Sequence, residues 1–156
     1  MFAALGAALG WMSIPVGPMR VFPAQHAINV LSGVLIGPYW GALAALVTAA
    51  IRFTTGTGSI FAFPGSPFGA VAVGIAYRLW RGPWAGLAEP VGTVGVGAVL
   101  SALVFAPLVG RDLGFVLFTA SFAASSLPGA LLGIAVLAVI RRIESFRSSR
   151  AREEAR

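Results

Sequence analysis

Apolar residues run almost without interruption along this chain, and the breaks between runs are Gly-Pro pairs, prolines and scattered arginines rather than charged surface segments. No stretch alternates apolar and polar positions as a half-buried strand would, so each run reads as a helix. The first, Phe2–Ile14, has 13 residues, short of the roughly 20 that cross a bilayer. Its helix is therefore expected to begin slightly upstream of Met1. Ala4-x-x-x-Ala8 and Gly6-x-x-x-Gly10 are expected to share one face of it. Such a stripe admits another helix at close range, from the same bundle or from a partner.

Pro15, Gly17, Pro18 and Pro23 predict a rigid loop carrying Arg20. The stretch Ala24–Phe53, interrupted by Gly37-Pro38, is too long for one span, and a helical hairpin of about Ala24–Ile36 and Tyr39–Phe53 is expected, with one Pro-kinked helix as the competing reading. Thr54–Ser66 is uncharged and rich in hydroxyls and glycine, a composition suited to a loop folding back into a protein-lined cavity. Ser66 followed by Pro67 reads as the start of a fourth helix running to about Trp80. After the turn at Gly82-Pro83-Trp84, a fifth span is expected within Ala85–Ala106. A short connection holds Arg111 and Asp112, and a sixth span, Phe115–Ile140, is expected to kink or restart at Pro128-Gly129. The fold expected is an all-α integral membrane protein, a compact bundle of about six transmembrane helices over residues 1–140, with an Arg-rich tail at 141–156 that frays.

Composition agrees with that solvent: 58% of residues are hydrophobic and 10% charged, where soluble domains carry about a quarter charged residues. The absence of Cys removes disulfides and thiolate chemistry. All eleven basic residues are Arg, so the phosphate-gripping Lys of a nucleotide-binding loop is missing. One His, and five acids scattered from Glu89 to Glu154, assemble neither a metal site nor a paired-carboxylate catalyst. No enzyme activity, cofactor or metal is expected. The net charge of +6 sits mainly in the tail, where anionic lipid rather than nucleic acid is the expected partner.

Across alternate connections, Arg78, Arg81 and the six tail arginines fall on one side, and Arg20, Arg52 and Arg111 on the other. The excess places both termini in the cytoplasm. Tyr39, Trp40, Trp80 and Trp84 then bracket the inner turns, and three polar loops converge outside as a ligand pocket.

Two motif groups carry a family resemblance. Ile14-Pro15-Val16-Gly17-Pro18, Phe22-Pro23-Ala24-Gln25-His26-Ala27-Ile28-Asn29-Val30 and Gly33-Val34-Leu35-Ile36-Gly37-Pro38 resemble the ThiW family, as do Gly56-Thr57-Gly58, Phe63-Pro64-Gly65-Ser66-Pro67-Phe68-Gly69-Ala70 and Glu89-Pro90-Val91-Gly92-Thr93. The resemblance covers about Ile14–Ala98. It implies six helices and the substrate-binding S component of an energy-coupling-factor (ECF) importer in the cell membrane of a prokaryote. It also implies hydroxyethylthiazole, a thiamine precursor, as substrate, a transmembrane coupling subunit and two ATPases as partners, and an Ala-rich docking face on the first helix, here Ala4 and Ala8.

Gln25, His26 and Asn29 share a face at helical spacing, and polar groups at that depth bind something or hold a neighbouring loop. With Arg20, Thr57, Phe63 and Ser66 they form the expected substrate site. Arg52 is expected at the lipid headgroups, with the pocket rim as the alternative, and Glu89 as a helix N-terminal charge or a partner of Arg78 or Arg81, with proton coupling as the alternative. Phe61 and Phe68 could also stack on a ring. Thiamine or another small ring compound remains an alternative substrate, and a small oligomerising membrane protein or an ion-coupled carrier an alternative class.

Overall fold

The computed structural model describes residues 1–16, 19–111 and 113–154. Gly17, Pro18, Asp112 and Arg156, named above, lie outside the described residues. Six helical segments and one two-stranded ribbon are described: α1 (Phe2–Leu9), β1 (Ile14–Val16), β2 (Met19–Val21), α2 (Pro23–Leu35), α3 (Pro38–Thr54), α4 (Ala62–Trp80), α5 (Pro83–Leu108) and α6 (Phe115–Glu154). Two segments, Pro83–Leu108 and Phe115–Ser145, are long and apolar enough to cross a membrane.

Large apolar side chains point outward and small ones inward. Leu46, Ile75, Leu79, Leu103, Leu131 and Val139 are exposed, while the buried apolar set is mostly Ala and Val. In water that arrangement would waste the hydrophobic effect; in lipid, close packing through small residues is what holds helices together. The glycines show how close: a Cβ at Gly41 would lie 3.1 Å from the Gly33 nitrogen, one at Gly74 2.5 Å from the Pro38 Cα, and one at Gly133 2.7 Å from the Val30 Cβ. Helix α2 sits at the centre of these contacts, against α3, α4 and α6, with nine of its 13 residues buried.

The hairpin reading of α2 and α3 holds. Pro23 and Pro38 each stand in the first turn of their helix, where the missing N–H is no loss. Gly37, at φ +85°, makes the turn between the two helices. The start of α4 differs from expectation: it begins at Ala62, and Ser66-Pro67 lies inside the helix rather than capping it. Pro64 falls in the first turn, where it breaks no helical hydrogen bond. Phe61 and Phe63 are fixed by aromatic contacts with Phe118 (4.7 Å) and Phe53 (6.0 Å), which anchor the helix earlier than its cap signal.

Other expectations are corrected as well. Helix α1 ends at Leu9, and Ile14 is already in the ribbon. The segment expected to be a rigid loop is an antiparallel ribbon, with Ile14 opposite Val21 and Pro15 opposite Arg20. The two small-residue stripes of α1 do not share a face: Gly6 and Gly10 are buried, Ala4 and Ala8 exposed. Helix α6 passes Pro128-Gly129 as one helix, which removes the restart but not the kink of the expected pair, and it continues through the helix-compatible tail to Glu154. At about 1.5 Å per residue, its 40 residues exceed the ~30 Å of a hydrocarbon core and carry its end beyond the bilayer.

Helix α5 is irregular. A 3-10 turn covers Pro83–Ala88, and wide π-type turns cover Val91–Gly97 and Ser101–Phe105. Pro90 removes one N–H from the ladder where the first wide turn begins. Glu89 and Thr93 project from this stretch into the bundle, both fully buried.

Candidate functional site

A cavity of about 420 Å³ opens between the β1–β2 ribbon, α2, the ends of α3 and α4, and α6. Its apolar wall is Phe22, Phe61, Phe118 and Phe122, with Leu113 and Leu117. Phe118 sits in a small core with Ala98 and Ala106, and its ring centroid lies 6.2 Å from that of Phe122. Polar lining comes from Gln25, His26, Ser59, Ser66, Ser121 and Ser125, and the charged lining from Arg20, Arg52 and Arg111. The Phe22 amide donates to Ser125 Oγ (3.1 Å), tying the entry of α2 to α6 across the cavity.

Beneath the cavity floor lies a directional hydrogen-bond relay. Arg52 has only donors and Glu89, as a carboxylate, only acceptors, so the two amides between them can be oriented. Arg52 Nη1 donates to Gln25 Oε1 at 3.4 Å, Gln25 Nε2 to Asn29 Oδ1 at 3.4 Å, and Asn29 Nδ2 to Glu89 Oε1 at 3.1 Å. Thr93 Oγ1 donates to the same Glu89 oxygen at 2.7 Å. That oxygen is an acceptor twice over, and His26 Nδ1, 2.7 Å away, is therefore the donor of a third hydrogen bond. In its neutral form the His26 ring then keeps Nε2 as an acceptor. Nε2 makes no hydrogen bond among the described residues, and His26, 6% exposed, lines the cavity. Glu89 Oε2 is buried without a partner there.

The fate of each expected site residue follows from this geometry. Gln25, His26, Ser66 and Arg20 meet at the cavity. Asn29, fully buried, lies one layer below and acts on His26 through Glu89. Thr57 and Phe63 do not line it. The threonines of the α3–α4 connection turn back onto α3: Thr55 Oγ1 donates to the Ile51 carbonyl (2.8 Å) and Thr57 Oγ1 to that of Arg52 (3.4 Å). They satisfy the carbonyls that a helix C-terminus leaves open. Phe63 packs on Phe53, and Phe68 is partly exposed away from the cavity, whereas Phe61 lines it.

Two residues depart from their first reading, Arg52 toward its pocket alternative. Arg52 is not at the headgroups: it is 2% exposed, its guanidinium carbon 4.0 Å from the Phe22 ring centroid and its Nη2 3.1 Å from the Thr57 carbonyl. Glu89 pairs with His26, not with Arg78 or Arg81. Those two arginines lie at the opposite end of the bundle, where Arg78 faces the Tyr39 ring and Arg141 donates to Tyr77 Oη (2.9 Å) and to the Arg81 carbonyl (3.1 Å). Nothing in the local sequence pairs Glu89 with His26 or points to the α6 wall, because His26 and Glu89 are 63 positions apart. The one available signal is an acid among small residues in an apolar run, four positions before Thr93.

A family model described as "Thiamine-precursor transporter protein (ThiW)" matches residues 1–143. No curated protein matches the chain significantly. Among solved structures, one titled "Structure and mechanism of the S component of a bacterial ECF transporter" has the same fold, with a TM-score of 0.60 at 17% sequence identity over 94% of this chain and 92% of that one.

Proposed function

Because the chain belongs to the ThiW family of thiamine-precursor transporter proteins, we propose that it is the S component of an ECF importer, binding hydroxyethylthiazole from outside. The observation that carries this reading is the cavity itself. Its volume of about 420 Å³ falls in the usual range of roughly 300–1,000 Å³ for small-molecule sites, and its aromatic wall faces a floor of polar side chains. Aromatic side chains suit a flat heterocycle, and His26 Nε2 suits an alcohol as the ligand's donor. Three arginines line the cavity and no carboxylate does among the described residues, which disfavours the thiamine cation. A purely structural or oligomerising membrane protein would have no use for such an enclosed polar floor.

The sidedness of the proposal follows the arginines, with the cavity outside and both termini in the cytoplasm. The sequence holds no Lys for a nucleotide-binding loop, so transport energy comes from a coupling subunit and two ATPases. Ala4 and Ala8 supply their docking face: both are exposed, on a helix whose other face, Gly6 and Gly10, is taken up against Thr48 and Arg52. The test is calorimetry on the detergent-solubilised chain. Hydroxyethylthiazole is expected to bind without ATP and more tightly than thiamine, while uptake into proteoliposomes is expected only with the coupling subunit and ATPases. Tighter binding of thiamine would reverse the substrate assignment, and uptake by this chain alone would remove the S-component reading.

A further inference from the structure

We propose that this cavity takes, beside hydroxyethylthiazole, ring compounds whose side chain ends in an oxyanion, a carboxylate or a phosphate monoester, with Arg52 as the counter-charge. The proposal rests on the reading of the cavity as the substrate pocket and adds the charge of what it takes. Arg20, Arg52 and Arg111 all line the cavity, yet no carboxylate lines it among the described residues, and Glu89 pairs with His26. Arg20 and Arg111 are exposed at the mouth, where water can solvate them. Arg52 is not: it is 2% exposed.

A guanidinium carries five N–H donors. Arg52 uses one in a long contact to the Gln25 amide and one on the Thr57 carbonyl, both neutral acceptors, and its Nε has no partner. The Phe22 ring covers a face of the group without supplying an acceptor along its edge. Gly10 closes the Nε edge, where a Cβ would lie 2.6 Å from Nε, and Gly58 the stem, where one would lie 2.9 Å from the Arg52 Cβ, so the second N–H of each Nη is what remains for the cavity. The open approach to this cation is the cavity.

Glu89, at the far end of the relay, balances the net charge of the buried network. Two amides separate it from Arg52, and one of its oxygens is committed to His26, Asn29 and Thr93. It therefore supplies no acceptor to Arg52 itself, whose two bonds go to neutral oxygens. A carboxylate or phosphate is the group whose oxygens match a guanidinium fork. The two outer arginines extend the same field to the mouth, drawing an anion in and repelling a cation.

The experiment compares three compounds that share the 4-methylthiazole ring and end, at the 5-position, in 2-hydroxyethyl, in acetate, and in the phosphate monoester of the hydroxyethyl group. Binding is measured by calorimetry on the full chain in nonionic detergent, at low and high salt. At least one anionic compound is expected to bind about tenfold or more tighter than the alcohol. Arg52→Gln is expected to bring that ratio to within about twofold, and Arg111→Gln, at an exposed position that does not threaten folding, to reduce the ratio and its salt dependence. An alcohol that binds wild type as tightly as both anions overturns the proposal.

If no thiazole binds, the substrate reading fails separately, and the charge inference is then decided with phenyl phosphate and benzoate against benzyl alcohol. Thermal stabilisation by the anions, reduced in Arg111→Gln, supports it; equal effects of all three overturn it. Repeating the comparison in phosphatidylglycerol and phosphatidylcholine nanodiscs separates a soluble ligand from a lipid headgroup. An anion advantage kept in phosphatidylglycerol supports the proposal, and its abolition there assigns the oxyanion to lipid and overturns it.

Discussion

At the scale of single residues, the site is organised by two atoms that cannot be swapped, a donor-only guanidinium and an acceptor carboxylate. Between them Gln25 and Asn29 each have one productive orientation, and His26 is held with Nδ1–H toward Glu89. The ring orientation and tautomer of His26 are thus decided by Glu89 and not by the ligand. Replacing His26 by Ala is expected to weaken hydroxyethylthiazole binding by roughly 1–3 kcal/mol, the usual effect of removing one partner of a buried hydrogen bond. Calorimetry checks this, and unchanged affinity with an intact fold would leave His26 a structural role. Glu89→Ala acts on a different quantity. It strands His26 Nδ1, Asn29 Nδ2 and the Thr93 hydroxyl, and stability is expected to fall by roughly 3–5 kcal/mol, as when a buried pair loses one member. Thermal unfolding in detergent measures it; a melting temperature equal to wild type would mean that the three donors find other acceptors.

Among elements, the glycines decide how near α2 its neighbours come, and one of them links packing to the site. A Cβ at Gly129 of α6 would lie 2.5 Å from the His26 Cβ, so Gly129→Ala must displace a residue that lines the cavity. The cost of such overpacking is roughly 1–3 kcal/mol, and affinity is expected to fall along with the melting temperature. Leu at both Ala4 and Ala8, on the exposed face of α1, is expected to leave folding and ligand binding close to wild type while abolishing co-purification with the coupling subunit. Joint loss of folding and binding would assign that face to the bundle. The two stripes of α1 show where sequence reading stops. Ala4/Ala8 and Gly6/Gly10 have identical spacing, and only the position of Thr48 and Arg52 on α3 decides which pair is covered. The α2–α3 hairpin was readable because Gly37-Pro38 allows a turn that few other pairs do. The start of α4 was misread for a physical reason: Ser66-Pro67 carries a cap signal, but aromatic packing of Phe61 and Phe63 outweighs it. Of the site, the His26 face of α2 was legible from its spacing. The burial of Arg52 was not, because an Arg near the end of an apolar run looks the same whether lipid or Phe22 lies over it.

For the whole molecule, the distribution of charge along the bundle axis bears on the proposed sidedness. The cavity end holds Arg20, Arg52 and Arg111. Arg78, Arg81 and Arg141 gather at the other end with Tyr39 and Tyr77, beside the exposed rings of Trp40, Trp80 and Trp84. Aromatic belts sit at headgroup level, and under the positive-inside rule the proposed orientation turns the Arg-richer end to the cytoplasm. Burial of Arg52 sharpens the asymmetry, since an arginine enclosed by protein is not a loop charge and leaves two exposed arginines at the cavity end. A pocket that loads from outside therefore requires the long end of α6 to project into the cytoplasm. With no native Cys, single substitutions report this directly. Ser59→Cys at the cavity lining and Gly110→Cys beside Arg111 are expected to react with a membrane-impermeant maleimide on intact cells, and Gly82→Cys and Ser148→Cys only after permeabilisation. The reverse labelling pattern would turn the bundle over, place the arginine-lined cavity in the cytoplasm, and exclude its role in capturing substrate for import.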